Sequence, residues 1–169
     1  AKVENLKTAS AIYNEAHSIM ELEQKLSVAL DASSSAKKNV LEIEKRMKQM
    51  AEIIKYAEQY KSTLPYYSTY KNAKQRDAYF QKHESKIILF GGAKRMLEQA
   101  GIDLKTLNLK KLKAEYQELE MKKKELSVIY KTCEKESSQI RRQLEELQKY
   151  LGLNQSSEIH KTKKQMHSL

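Results

Sequence analysis

The sequence predicts an all-α fold, a long antiparallel coiled-coil hairpin with a small helical cap at the connecting end. Three observations carry that expectation. Two stretches keep an unbroken 3-4 apolar rhythm: Leu22, Leu26, Ala29, Ser33, Ala36, Val40, Ile43, Met47, Met50, Ile54 and Ala57, and then Leu109 through Leu151. Each runs for about six heptads, and a repeat of 3.5 residues winds helices around one another. The 47 residues between them, Ser62 to Asn108, are ample to reverse the chain. Finally, Gly and Pro fill only five of 169 positions, Trp is absent and 32 % of residues are charged, which is the make-up of a long-helix protein.

Residues 1–17 read as a short amphipathic N-terminal helix with a break at His17-Ser18. Ser18 followed by Glu21 has capping-box form, which starts the first arm at residue 18. That arm, 18–61, is interrupted only by a polar patch from Asp31 to Ser35, which puts Ser33 in the seam and is expected to loosen it there. At 1.5 Å per residue the arm is about 65 Å long. Ser62-Thr63-Leu64-Pro65 ends it, because proline disfavours helix at the residue before it. Residues 62–108 form the cap as short helices, Tyr66 to Ala73, Gln75 to Lys82 and Glu84 to Ala100, the last closed by Gly101. The densest apolar run, Ile87-Ile88-Leu89-Phe90, is its expected centre.

Asn108 is placed as the N-cap of the second arm, 109–151. The seam there reads Leu109, Leu112, Tyr116, Leu119, Lys123, Leu126, Tyr130, Cys133, Ser137, Ile140, Leu144, Leu147 and Leu151. Lys123 and Ser137 are polar interruptions of the kind that fix register at some cost in stability. Residues 152–169 form a polar tail, expected to be mobile.

A hairpin buries a thin seam, so a deep active-site pocket is not expected in the arms. His17, His83, His160 and His167 are scattered, and no H-E-x-x-H or C-x-x-C spacing exists. No catalytic, cofactor or metal residue is therefore assigned, and the chain is not expected to be an enzyme. Cys133 lies on the seam as a small hydrophobe, and as the single cysteine it cannot form an internal disulfide. Gly91-Gly92-Ala93-Lys94-Arg95 lacks the spacing of a phosphate-binding loop and follows no strand, so the glycines read as room for a neighbouring helix. No apolar run approaches membrane-spanning length and mean hydropathy is -0.77, so no membrane contact and a cytoplasmic location are expected. The chain opens Ala-Lys-Val inside helical pattern, as a piece of a longer protein would.

The net charge of +10 is unevenly spread. From Ala1 to Tyr60 nine basic residues meet nine acidic ones, and from Glu125 to Leu151 five meet five. Between Lys61 and Lys124 fifteen basic residues stand against seven acidic, leaving +8, and the tail after Gly152 adds +2, so the cap and the roots of the arms are basic. That asymmetry points to an anionic partner, nucleic acid first, through phosphate contacts that weaken with salt; the competing reading is lysine that merely keeps a helical surface soluble. Tyr56, Tyr60, Tyr66, Tyr67, Tyr70 and Tyr79 are interleaved with these cations. Tyrosine stacks on unpaired bases, but it also seals small helical caps with its ring inward, and packing is favoured for most of the six.

At Tyr70-Lys71-Asn72-Ala73, Tyr79-Phe80-Gln81-Lys82-His83-Glu84, Ile87-Ile88-Leu89 and Ala93-Lys94-Arg95 the chain resembles a known family. Leu112-Lys113-Ala114-Glu115-Tyr116-Gln117-Glu118-Leu119 and Lys122-Lys123-Lys124 add to the likeness. The pattern is similar to the C-terminal helical region of relaxases, the mobilisation nucleases of conjugative elements in Gram-positive gut bacteria, over roughly Asn5 to Leu151. The resemblance implies a longer protein whose N-terminal half nicks DNA with a tyrosine and a histidine-bound metal, none of which this chain carries. It implies contact with origin DNA or with proteins of the transfer machinery.

Two expectations follow. In the first, the chain is a non-catalytic accessory region of a relaxase that touches DNA backbone without base readout through Lys71, Lys74, Arg76, Lys82, Lys86, Lys94, Arg95, Lys110, Lys111 and Lys113. In the second, it is a protein-interaction scaffold or homodimer whose loose seams at Ser33 and Ser137 accept another helix or a second copy.

Overall fold

A computed structural model describes residues 2–152 of the chain. The polar tail expected over 152–169 lies, beyond Gly152, outside the described residues. Helices make up 91 % of what is described and there are no strands, so the fold is an all-α helical hairpin. Its helices are α1 (Lys2–Asn72), α2 (Arg76–Gln99) and α3 (Leu109–Tyr150).

α1 is longer than expected at both ends. The break at His17-Ser18 does not occur: Ser18 Oγ donates to the Asn14 carbonyl at 3.0 Å, bonding back into the helix instead of capping a new one. His17 Nε2 sits 3.4 Å from Glu21 Oε1, an i,i+4 pair across the expected gap. Nor does the helix stop at Ser62–Pro65, for it continues through Pro65 to Asn72. An internal proline costs about 3 kcal/mol through its lost N–H and its clash with the preceding turn. That cost is offset by tertiary packing, because Thr63 is buried, and Tyr66, Tyr67 and Tyr70, just beyond the proline, all pack on rings of α2. The expected helices 1–17, 18–61 and Tyr66 to Ala73 are thus one element.

α2 joins the two expected cap helices, with His83 at φ -124, ψ 22 marking the kink between them. Gly101, at φ 75, ends it as expected: Ile102 N–H reaches the Leu97 carbonyl and Gly101 N–H the Glu98 carbonyl, both at 3.0 Å, the two bonds of a Schellman motif. Asp103 Oδ1 then accepts from Lys105 N–H at 3.0 Å, tightening the connector. Asn108 Oδ1 accepts from Lys111 N–H at 3.1 Å, the side-chain cap that starts α3 at Leu109.

The chain forms two compact units. The first joins residues up to Asn39 with those from Leu126 on, and its buried residues are Ala29, Ser33, Ala36, Ser137 and Leu144. Its two polar seam positions are both buried, and Ser33 is bonded across to the facing helix while Ser137 bonds back into its own. Ser33 Oγ donates to Glu134 Oε1 at 2.5 Å, and Ser137 Oγ to the Cys133 carbonyl at 2.7 Å. The second unit is residues 40–125, where α1 and α3 run antiparallel: Glu44 pairs with Lys123 and, further along α1, Glu58 pairs with the earlier residue Lys113. Its core is Met50, Ala57, Thr63, Ile87, Phe90, Ala93 and Leu97, with Leu97 fully buried. Of the expected apolar centre, Ile87 and Phe90 face inward while Ile88 and Leu89 are exposed, as 3.6-residue periodicity requires of a helix packed on one side.

Candidate nucleic-acid interface

The ten basic residues singled out from the sequence all lie in the unit of residues 40–125, and all are exposed. Lys71 stands in the last turn of α1 and Lys74 in the turn that follows. Arg76, Lys82, Lys86, Lys94 and Arg95 are on α2, and Lys110, Lys111 and Lys113 open α3. Four further exposed cations of the same segment, Lys61, Lys105, Lys122 and Lys124, belong with them by charge. The charge count over residues 61–124 contained that signal.

Three of the ten also hold the fold. Arg76 Nη2 donates to the Lys71 carbonyl at 2.9 Å, satisfying an end carbonyl of α1. Lys113 Nζ lies 2.6 Å from Glu58 Oε1, and Lys86 Nζ stands 5.9 Å from the centroid of the Tyr66 ring. Asp77 joins Lys74 and Arg76 in lining a hollow at the α1–α2 turn, so a carboxylate stands among these cations. At the start of α3 no acidic residue balances the helix dipole, and Lys110 and Lys111 place two cations on its positive end. Such placement is unfavourable by about 0.3–1 kcal/mol per charge. An anion beside them would relieve it.

The six tyrosines of residues 56–79 are half-buried, and five of them pack on other rings of the chain. Tyr60 and Tyr67 both stack on Phe90, with centroids 5.0 and 4.3 Å away and ring planes within 25° and 14°. Tyr67 also meets Tyr70 at 6.4 Å, and Tyr70 meets Phe80 at 5.8 Å. Tyr66 and Tyr79 both contact His83, at 5.3 and 4.5 Å. Tyr56 has Lys55 Nζ 5.8 Å from its centroid. This ring cluster fastens the end of α1 to α2.

No protein-family model, curated protein or solved structure matches the chain. The site therefore rests on its own geometry.

Gly91 and Gly92 sit inside α2, where helical hydrogen bonding occupies the backbone, so they form no phosphate-binding loop. The expectation that they make room for a neighbouring helix is also corrected: a Cβ at either would meet no atom within 4 Å. Cys133 is half-buried on the α3 seam. Among the described residues no group of three or more His, Cys, Asp or Glu side chains could hold a metal ion, and no helix is long and apolar enough to cross a membrane.

The sequence reading missed the cross-helix polar contacts. Gln59 Nε2 donates to the Leu89 carbonyl at 3.0 Å, tying α1 to α2. No periodicity marks such a contact, because Gln59 lies outside the apolar stripe.

Proposed function

We propose that this chain is a non-catalytic accessory region of a DNA-mobilisation relaxase and contacts the DNA phosphate backbone through the basic surface of its cap. One observation carries the phosphate reading: fifteen basic residues stand against seven acidic ones over residues 61–124, which holds +8 of the net +10, and the ten cations named there are all exposed. The unfavourable pair Lys110 and Lys111 at the start of α3 supports it. Surface cations kept only for solubility have no reason to gather at the positive end of a dipole. The relaxase assignment rests on the resemblance of the Tyr70–Arg95 motif, and proteins of the transfer machinery are further partners under it.

The test is fluorescence anisotropy of labelled DNA with the full chain across salt. Micromolar or tighter binding with a steep salt slope supports the reading. Reversing Lys74, Lys82 and Lys94 to Glu is expected to weaken binding to every DNA sequence alike, and to flatten the slope by about one per lost contact. Affinity unchanged by the triple variant would remove the cap from the interface.

A second reading, association with another copy of the chain, is favoured by a separate observation. Val3, Leu6, Tyr13 and Met20 follow heptad spacing on α1 and remain 66–72 % exposed. Sedimentation analysis decides it, since a mass that rises with concentration and falls on Leu6→Glu supports self-association through this stripe.

A further inference from the structure

We infer that the cap selects duplex over single-stranded DNA. The inference rests on the phosphate-contact reading above and deepens it by naming the form of nucleic acid. Proteins that hold single strands combine a basic groove with aromatic rings whose faces are open to unstacked bases. Here the cations are exposed, whereas the rings are half-buried and engaged with side chains of their own chain. Each of the six tyrosines between residues 56 and 79 already has a partner from its own chain. Tyr60 and Tyr67 lie against Phe90, itself only 4 % exposed, and Tyr70 lies against Phe80 and Tyr67. Tyr66 and Tyr79 flank His83, and Lys55 stands over Tyr56.

Offering one of these rings to a base means taking it from the contacts that fasten α1 to α2 beyond Pro65. Tyr66, Tyr67 and Tyr70 are in the segment whose packing holds the helix through that proline. The cost of releasing them opposes base stacking, so single strands gain less from stacking here than on a surface of free rings. What remains is charge density. A duplex carries about one phosphate charge per 1.7 Å of axis, roughly twice what a single strand of the same rise supplies, and each contact releases more counterion from it. A ligand bound by cations alone therefore favours the duplex.

The experiment compares the full chain against a labelled 20-base-pair duplex and a labelled oligo-dT strand of 20 nucleotides, each titrated from about 20 to 200 mM salt. The expected result is duplex binding about tenfold tighter at low salt, with the steeper salt slope. Equal or tighter binding of oligo-dT would overturn the duplex preference while leaving the phosphate reading standing. Binding of neither at the lowest salt would overturn both.

Discussion

Lys123 Nζ lies 2.9 Å from Glu44 Oε1, so the charged residue in the α3 seam is answered by a carboxylate on the facing helix. Both side chains keep more than a third of their surface in water, at 38 and 44 %. Solvent screening therefore limits the pair to less than about 1 kcal/mol. Its larger effect is on register, because a polar seam residue disfavours alternative pairings. Glu44→Gln is expected to lower stability by under about 1 kcal/mol in urea unfolding. Lys123→Leu is expected to raise the midpoint, since an apolar side chain fills the seam at a site that water only partly covers.

The two buried seam serines are expected to respond in opposite directions. Ser33 bonds across to Glu134, so Ser33→Ala loses a hydrogen bond to a charged group and costs about 1 kcal/mol, with Glu134 exposed enough to rehydrate. Ser137 donates back into its own helix at the Cys133 carbonyl, and Ser137→Ala is expected to be neutral or to stabilise by up to about 0.5 kcal/mol. Ser33→Leu, set between Ala29 and Ala36, overpacks the seam and costs about 1–3 kcal/mol. Chemical denaturation of the three variants reads all of these.

Gly91→Ala and Gly92→Ala are each expected to stabilise by up to about 1 kcal/mol, because helical glycine is disfavoured and nothing obstructs the new methyl. Gly101→Ala runs the other way, since φ 75 strains any residue with a Cβ, and is expected to cost about 1 kcal/mol. Thermal unfolding with opposite shifts in Tm checks the pair. Equal signs would mean that space and not backbone conformation governs these sites.

Lys110→Glu is expected to separate stability from binding. A carboxylate in the first turn of α3 complements the dipole and raises stability by about 0.3–1 kcal/mol. Under the proposed phosphate reading the same change replaces a cation at the interface with an anion, so DNA affinity is expected to fall. A variant that is both more stable and weaker in anisotropy titration is the signature of a residue kept for its partner.

Among the cap residues, Phe90 is expected to be the most sensitive. It is 4 % exposed and holds two stacked tyrosines, so Phe90→Ala costs about 3–5 kcal/mol and frees the end of α1 from α2. Hydrogen exchange is expected to speed up from Pro65 to Asn72 well before it does so in the arms.

The seam was legible because it is a local pattern. Leu22 to Ala57 and Leu109 to Leu151 keep a spacing that only a helix can turn to one side, and every one of those positions is buried or half-buried. The Gly101 stop and the Asn108 cap were legible for the same reason, since each satisfies backbone groups within a few residues of itself. Charge was legible as a count, because the excess over residues 61–124 needs no fold to be seen.

By itself, then, the sequence determined the helical class, the seam, the caps of the cap region and where the positive charge falls. Only tertiary structure decided that α1 runs unbroken through Ser18 and Pro65. Local rules weigh a proline or a capping serine against the chain alone, whereas the Tyr66, Tyr67 and Tyr70 contacts that hold the helix come from rings on α2. Tertiary structure likewise decided that Ser33 is held by Glu134, a partner 101 residues away that no local pattern identifies. It also turned the tyrosines inward. A tyrosine beside a lysine has the same sequence whether its ring faces a base or a phenylalanine, and the choice belongs to whatever the folded chain places over it.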